Sequence, residues 1–140
     1  MNLATFERAQ VAAFAYQQAR HTGSLDCMKA ICHVLRNRVR AGWGDGTWTT
    51  IINLHSEVEG NLQTGKTPID PNDRLLHLLV RDIDDIYLGM GQDETKIVVQ
   101  DALYFQFIDQ PVRVWFVDHI VQDQENHPRV AHVGPLALFK

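Results

Sequence analysis

The chain has 140 residues, is 45% hydrophobic, and sets 13 Lys and Arg against 17 Asp and Glu, a formal charge of −4. One domain over residues 1–140 with a single sizeable core is expected, and the composition fits neither disorder nor a repeat array. The negative balance argues against a nucleic-acid partner, and no apolar run approaches the roughly 20 residues of a membrane span.

Leu3, Phe6, Phe14 and several alanines predict a first helix over residues 3–20. The start lacks a basic leader and carries Glu7 and Arg8 where a signal peptide would be apolar, so a cytoplasmic chain is expected unless another route exports it to the cell envelope. His21-Thr22-Gly23 forms a turn, and residues 24–40 form the clearest helix. Ser24 is its N-cap and Asp26 suits its first turn. Met28, Ile31, Leu35 and Val39 make an apolar stripe, widened by Cys32. Cys27 and Cys32 point roughly 140° apart on a helix, so they cannot bridge and read as half-buried thiols. Arg36, Arg38 and Arg40 do not share one face, which predicts a solvated helix end. Gly42 and Gly44 then stop the helix.

A short apolar helix follows over 47–54, capped by Asp45 or Thr47. Residues 55–69 are polar, hold two glycines and a proline, and form the most site-like loop. In the next helix Asp70 is the cap, Pro71 the first residue and Gly89 the end. Its buried stripe is Leu75, Leu79, Ile83 and Ile86, reinforced by Leu76, Leu78 and Val80; Asp82, Asp84 and Asp85 read as a surface acidic patch. From Ile97 the period changes, and 102–107, 112–117 and 129–139 predict short antiparallel strands, with turns at 109–111 and 123–128. The expected fold is α+β, a helical N-terminal two-thirds with a small C-terminal antiparallel β-sheet.

The seven histidines show no zinc-helix spacing, and ordinary surface or core roles are the default. The outside alternative is that His119, His127 and His132 meet on neighbouring strands. Neither a metal nor a cofactor is implied. Trp43, Trp48, Tyr104 and Trp115 could line a glycan groove by stacking on sugar rings, or could pack against the core.

Several phrases, in order, resemble the SleB-like domain of cell-wall hydrolases, the spore-cortex-lytic type: Ala19-Arg20, then Val34-Leu35-Arg36-Asn37-Arg38-Val39, then Ala102-Leu103-Tyr104-Phe105, Trp115, and Val133-Gly134 with Phe139. The resemblance implies a fold of this type and cleavage of peptidoglycan glycan strands, by a lytic transglycosylase or muramidase route. Such cleavage requires an acid at the leaving oxygen. The positions that match the family's acidic residues hold Gln18 and Thr22, neither able to exchange a proton in the useful range. Pro135 and Leu136 stand where the family has an Asn-His pair. Glu57 and Glu59 in the long loop are candidate replacement acids; His21 and Asp26 are others. Two main readings follow: a divergent hydrolase with a relocated acid, or a catalytically silent relative that binds a glycan or a protein partner through the old groove. A plain scaffold or oligomerisation domain is the third, and an exposed apolar edge over 129–139 would favour it.

Overall fold

A computed structural model describes residues 3–47, 51–52, 69–88, 94–109 and 114–140. The order is helix α1 (Leu3–Ala19), a 3₁₀ turn (Arg20–Thr22), α2 (Leu25–Arg40), α3 (Arg74–Leu88), α4 (Glu94–Val99), strand β1 (Tyr104–Phe107), a short α5 (Val114–Phe116) continuing into a π-helical stretch (Val117–Val121), then β2 (Arg129–Val133) and β3 (Leu136–Phe139). The fold is α+β, with a three-stranded antiparallel sheet at the C-terminal end.

Helix α2 is the centre of the molecule. It packs on α1, α3 and α4 and touches β1 and β2, which is why Cys27, Met28, Ala30, Ile31, Cys32, Val34 and Leu35 are all fully buried rather than lying on one narrow stripe. Ser24 caps it as the sequence predicts: its hydroxyl accepts from the Cys27 N–H at 3.2 Å. Both cysteines are free and wholly buried, deeper than their polarity suggested. Helix α1 contributes Val11, Ala12, Ala15, Tyr16 and Ala19, and the three alanines let its backbone pack close to α2 and α3.

Helix α3 begins one turn later than predicted. Asp70 closes only the preceding turn, accepting from the Asn72 N–H, so Pro71 is not its first residue. Asp73 takes over the cap, with its carboxylate on the Leu75 N–H and its carbonyl on the His77 N–H. Tertiary contacts decide the shift: the Tyr16 hydroxyl donates to Asp73 at 2.9 Å and Arg20 pairs with it at 2.6 Å. Leu79, Ile83 and Ile86 are buried as expected, whereas Val80 is 51% exposed. The acidic patch is partly paired, Asp84 with Arg8 and Asp82 with Arg81 and Lys29. At the 47–54 segment Asp45 accepts from the Thr47 N–H and hydroxyl, and Ile51 is buried; residues 48–50 and 53–54, loop residues 55–68 and Gly89 lie outside the described residues.

In the sheet β3 is central, flanked by β1 and β2. Leu136 and Leu138 join the helical core, while Ala137 and Phe139 face a second cluster with Phe116 and Ile120. Burial on both faces explains the unbroken apolar run of β3. The strand predicted over 112–117 is not formed at its described end, Val114–Val117. The β-branched and aromatic content of 112–117 suggested a strand, but the i, i+4 pair Phe116 and Ile120 covers the far face of the sheet as a helix. Residues 97–99, where the change of period was placed, still belong to α4. No helix among the described residues is long and apolar enough to cross a membrane.

Candidate functional site

The segments around residues 18–22, 102–109 and 133–135 divide between the two ends of α2. At the N-terminal end, the 3₁₀ turn, the end of β1 and the β2–β3 turn converge on one junction. The turn is held tightly: the Thr22 hydroxyl donates to Ala19 O at 2.6 Å and accepts from the Ser24 N–H at 3.1 Å, and the Gly23 N–H donates to Arg20 O. Gly23 sits at φ +64°, a conformation L side chains seldom adopt. Below it the Cys27 thiol donates to Val133 O at 3.2 Å, and Ile108 N–H donates to Pro135 O at 2.9 Å. Burial raises the Cys27 thiol, the Ser24 and Thr22 hydroxyls pull it down, and Asp26 and Asp109 add to the rise. It remains a protonated, inert group.

On this junction His21 Nε2 lies 3.7 Å from Asp109 Oδ1, with the two side chains 22% and 50% exposed. The His21 ring meets the Phe107 ring edge-on, centroids 4.6 Å apart. Arg20, next in sequence, turns away to Asp73. Asp73 is held below its ordinary carboxyl range, first by the Leu75 N–H, then by the Tyr16 hydroxyl and by Arg20.

The C-terminal end of α2 is built differently. Arg38 is fully buried, which overturns for this residue the expectation of a solvated helix end, while Arg40 is exposed as expected. Its Nε donates to Leu103 O at 2.7 Å, and its guanidinium carbon lies 4.8 Å from the Trp43 ring centre, 5.9 Å from Tyr104 and 5.7 Å from Phe105. Burial pushes the guanidinium down to about 9, so it keeps its charge at neutral pH. Cation–π contacts and the charge-assisted bond offset its loss of water. Asn37 completes the clasp, its Nδ2 donating to Gln100 O at 2.9 Å and Ala102 O at 3.0 Å. Gln100 is held at positive φ, 53°, the one non-glycine residue so placed among the described residues. The Asn37-Arg38 pair thus grips the chain just before β1.

The sequence-predicted residues divide between these ends. Gln18 is in the last turn of α1, 5% exposed, and Thr22 is in the junction turn with its hydroxyl committed to the backbone. Trp43 and Tyr104 touch edge-on at 5.5 Å and enclose Arg38, which is the packing alternative rather than a stacking platform. They lie at the other end of α2, about 20 Å along the helix from the junction. Trp115 is 43% exposed and leans on His119, centroids 5.1 Å apart. Asp26 is exposed on the first turn of α2. Glu57, Glu59 and Trp48 lie outside the described residues. The suggested histidine trio does not form a site: His119 is helical, His127 Nδ1 is 2.8 Å from Lys140 O and its ring packs on Tyr104, and no metal-binding group of His, Cys, Asp or Glu occurs among the described residues.

Sequence reasoning missed Asp109, read only as a turn residue, because its partner is 88 positions away (109 − 21). The available signal was weak: an acid ending an apolar strand that the order of phrases brings back to the first turn. Separately, a mostly apolar cleft of about 450 Å³ runs between α1 and α3, lined by Ala9, Ala12, Leu76, Val80 and Ile83 with the Arg8–Asp84 pair at one edge. Comparison with protein-family models, with curated proteins and with solved structures gave no match for this chain.

Proposed function

We propose that this chain is a divergent SleB-like domain that engages a glycan strand of the peptidoglycan type at the junction on the N-terminal end of α2. The observation that carries the reading is convergence. Three segments far apart in sequence, at residues 18–22, 107–109 and 133–135, come together there through the His21–Asp109 approach and the Cys27–Val133 and Ile108–Pro135 hydrogen bonds. Turn and strand-end residues placed on a rigid scaffold are the usual seat of function.

The family's own acid positions do not run the chemistry here. The Gln18 amide cannot donate a proton to a leaving oxygen, and the Thr22 hydroxyl is spent in closing its turn. The domain therefore recognises the strand with an altered set of polar groups. Neither a metal nor a cofactor enters this reading.

Co-sedimentation with purified insoluble peptidoglycan tests it. The protein should pellet in a saturable way and be released by soluble glycan fragments. Protein that stays in the supernatant at micromolar concentration contradicts the reading. The α1–α3 cleft would then favour the second one, a domain that binds a protein partner.

A further inference from the structure

We propose that the hollow where the first turn of α2, the start of α4 and the end of β2 meet is a subsite for a guanidinium group, of the kind an arginine side chain carries. Nothing in it depends on the glycan-strand reading above.

The hollow holds about 170 Å³ and is lined by Asp26, Glu94, Thr95, Val98, His132 and Val133. Three separate elements supply these residues, and their packing fixes them, since α4 lies against both α2 and β2. Asp26 and Glu94 each stand in the first turn of a helix, where the dipole accounts for either acid alone. It does not account for both opening on one hollow with no cation beside them. Neither a lysine nor an arginine is among the described residues that line it, and neither carboxylate has a hydrogen bond or ion pair among the described residues. The acids of α3 and its cap are treated differently: Asp73 pairs with Arg20, Asp82 with Arg81 and Lys29, and Asp84 with Arg8.

Thr95 points to a ligand more directly. It is only 6% exposed, yet its hydroxyl makes no hydrogen bond among the described residues. The hydroxyl is not sealed from solvent either, so the small opening it has is into the hollow. A buried threonine hydroxyl ordinarily finds a partner within the fold. This one is left to a group that enters from outside.

The acceptors select the cation. The acidic and imidazole groups here do not come close enough to share one metal ion. They are spread over three elements, so a fitting cation must carry several N–H donors that point apart. Guanidinium presents five in a planar fork and is weakly hydrated, and its flat faces pack on side chains such as Val98 and Val133. His132, exposed at the rim, offers a ring on which the same planar group stacks. An ammonium is a compact, strongly hydrated point charge and meets fewer of these acceptors at once. The size agrees. Sites for whole small molecules begin at about 300 Å³, whereas this hollow takes one head group with its stem leaving toward solvent.

Amide shift mapping of the whole chain tests the proposal, at constant ionic strength. The probe is N-acetyl-arginine amide, whose blocked ends leave the guanidinium as its only charge. Saturable shifts are expected at Asp26, Thr95, Val98 and Val133, with Kd of about 1–10 mM for a single half-exposed head group. N-acetyl-lysine amide should bind about threefold more weakly. Asp26→Asn and Glu94→Gln should each weaken arginine binding about three- to fivefold, and Thr95→Val, which keeps the shape, about threefold. Blocked Gly-Arg-Gly against methylguanidinium separates the two sources: tighter binding of the peptide assigns the subsite to a partner's arginine, equal binding to a free guanidinium compound. No shift at these residues with about 100 mM arginine probe overturns the proposal. So does binding that all three substitutions leave within about twofold of wild type, in chains whose spectra show the fold intact. Calcium chloride that shifts the same amides at lower concentration than the arginine probe also overturns it, in favour of a metal ion.

Discussion

The two ends of α2 face the same problem with opposite solutions. Each brings a cation-forming side chain from the helix region against the same strand, β1. At the C-terminal end Arg38 is wholly desolvated, ringed by Trp43, Tyr104 and Phe105 and bonded to Leu103 O. At the N-terminal end His21 stays at the surface with Asp109, and only its backbone is locked. A buried charge that has been stabilised by its surroundings is committed to the fold, whereas an exposed pair on a rigid turn is free to meet a ligand. Chemical type alone does not separate the two roles; burial does.

The largest effect should come from the committed end. Arg38→Ala leaves the ring enclosure empty and the Leu103 carbonyl without its donor, and should destabilise the fold by about 3–5 kcal/mol in chemical denaturation. Arg38→Met, which keeps the stem and removes the charge, should lose clearly less. Equal losses for the two would mean that the charge itself, and not the filling of the enclosure, holds this end.

A middle-sized effect tests the framework shared by both ends. Tyr16→Phe removes the hydroxyl donor to Asp73 and should lose about 1–2 kcal/mol. Asp73 also gives a pH prediction. Its carboxyl is held below the ordinary range of about 4, so its contribution is present above that pH and lost as pH falls through the lower folded value. Asp73→Asn should therefore flatten the acid side of the melting-temperature profile below about pH 4 relative to wild type. An unchanged slope there would contradict the assignment.

Ser24→Ala should lose about 1 kcal/mol as the Cys27 N–H loses its cap. The smallest stability effect belongs to the exposed pair: His21→Gln should change unfolding free energy by less than about 0.5 kcal/mol. A loss comparable to that of Arg38→Ala would erase the contrast between the two ends.

The sequence made some of this legible. Helix α2 with its Ser24 cap was readable because a capping residue, an apolar period and a glycine stop agree locally. Strands at 104–107, 129–133 and 136–139 were readable for the same reason. Other features were set by partners distant in sequence. Asp73 displaced Asp70 as the α3 cap because of Tyr16 and Arg20 from α1 and its following turn. The 114–121 segment became helical because of the sheet face it covers. Arg38 looked like a solvated charge because alternate arginines carry no sign of the three rings waiting for one of them. At the site, Gln18 and Thr22 could be singled out by resemblance, but Asp109 required the fold.

The most direct measurement is peptidoglycan co-sedimentation of wild type beside one obstructing variant at each end of α2. Asp109→Trp adds bulk to the exposed junction, and Trp43→Phe trims the Arg38 enclosure. The account predicts at least a tenfold loss of pelleting for Asp109→Trp and wild-type pelleting for Trp43→Phe, with both proteins folded by circular dichroism. Loss in Trp43→Phe with normal pelleting of Asp109→Trp would contradict it and move the glycan site to the other end of the helix.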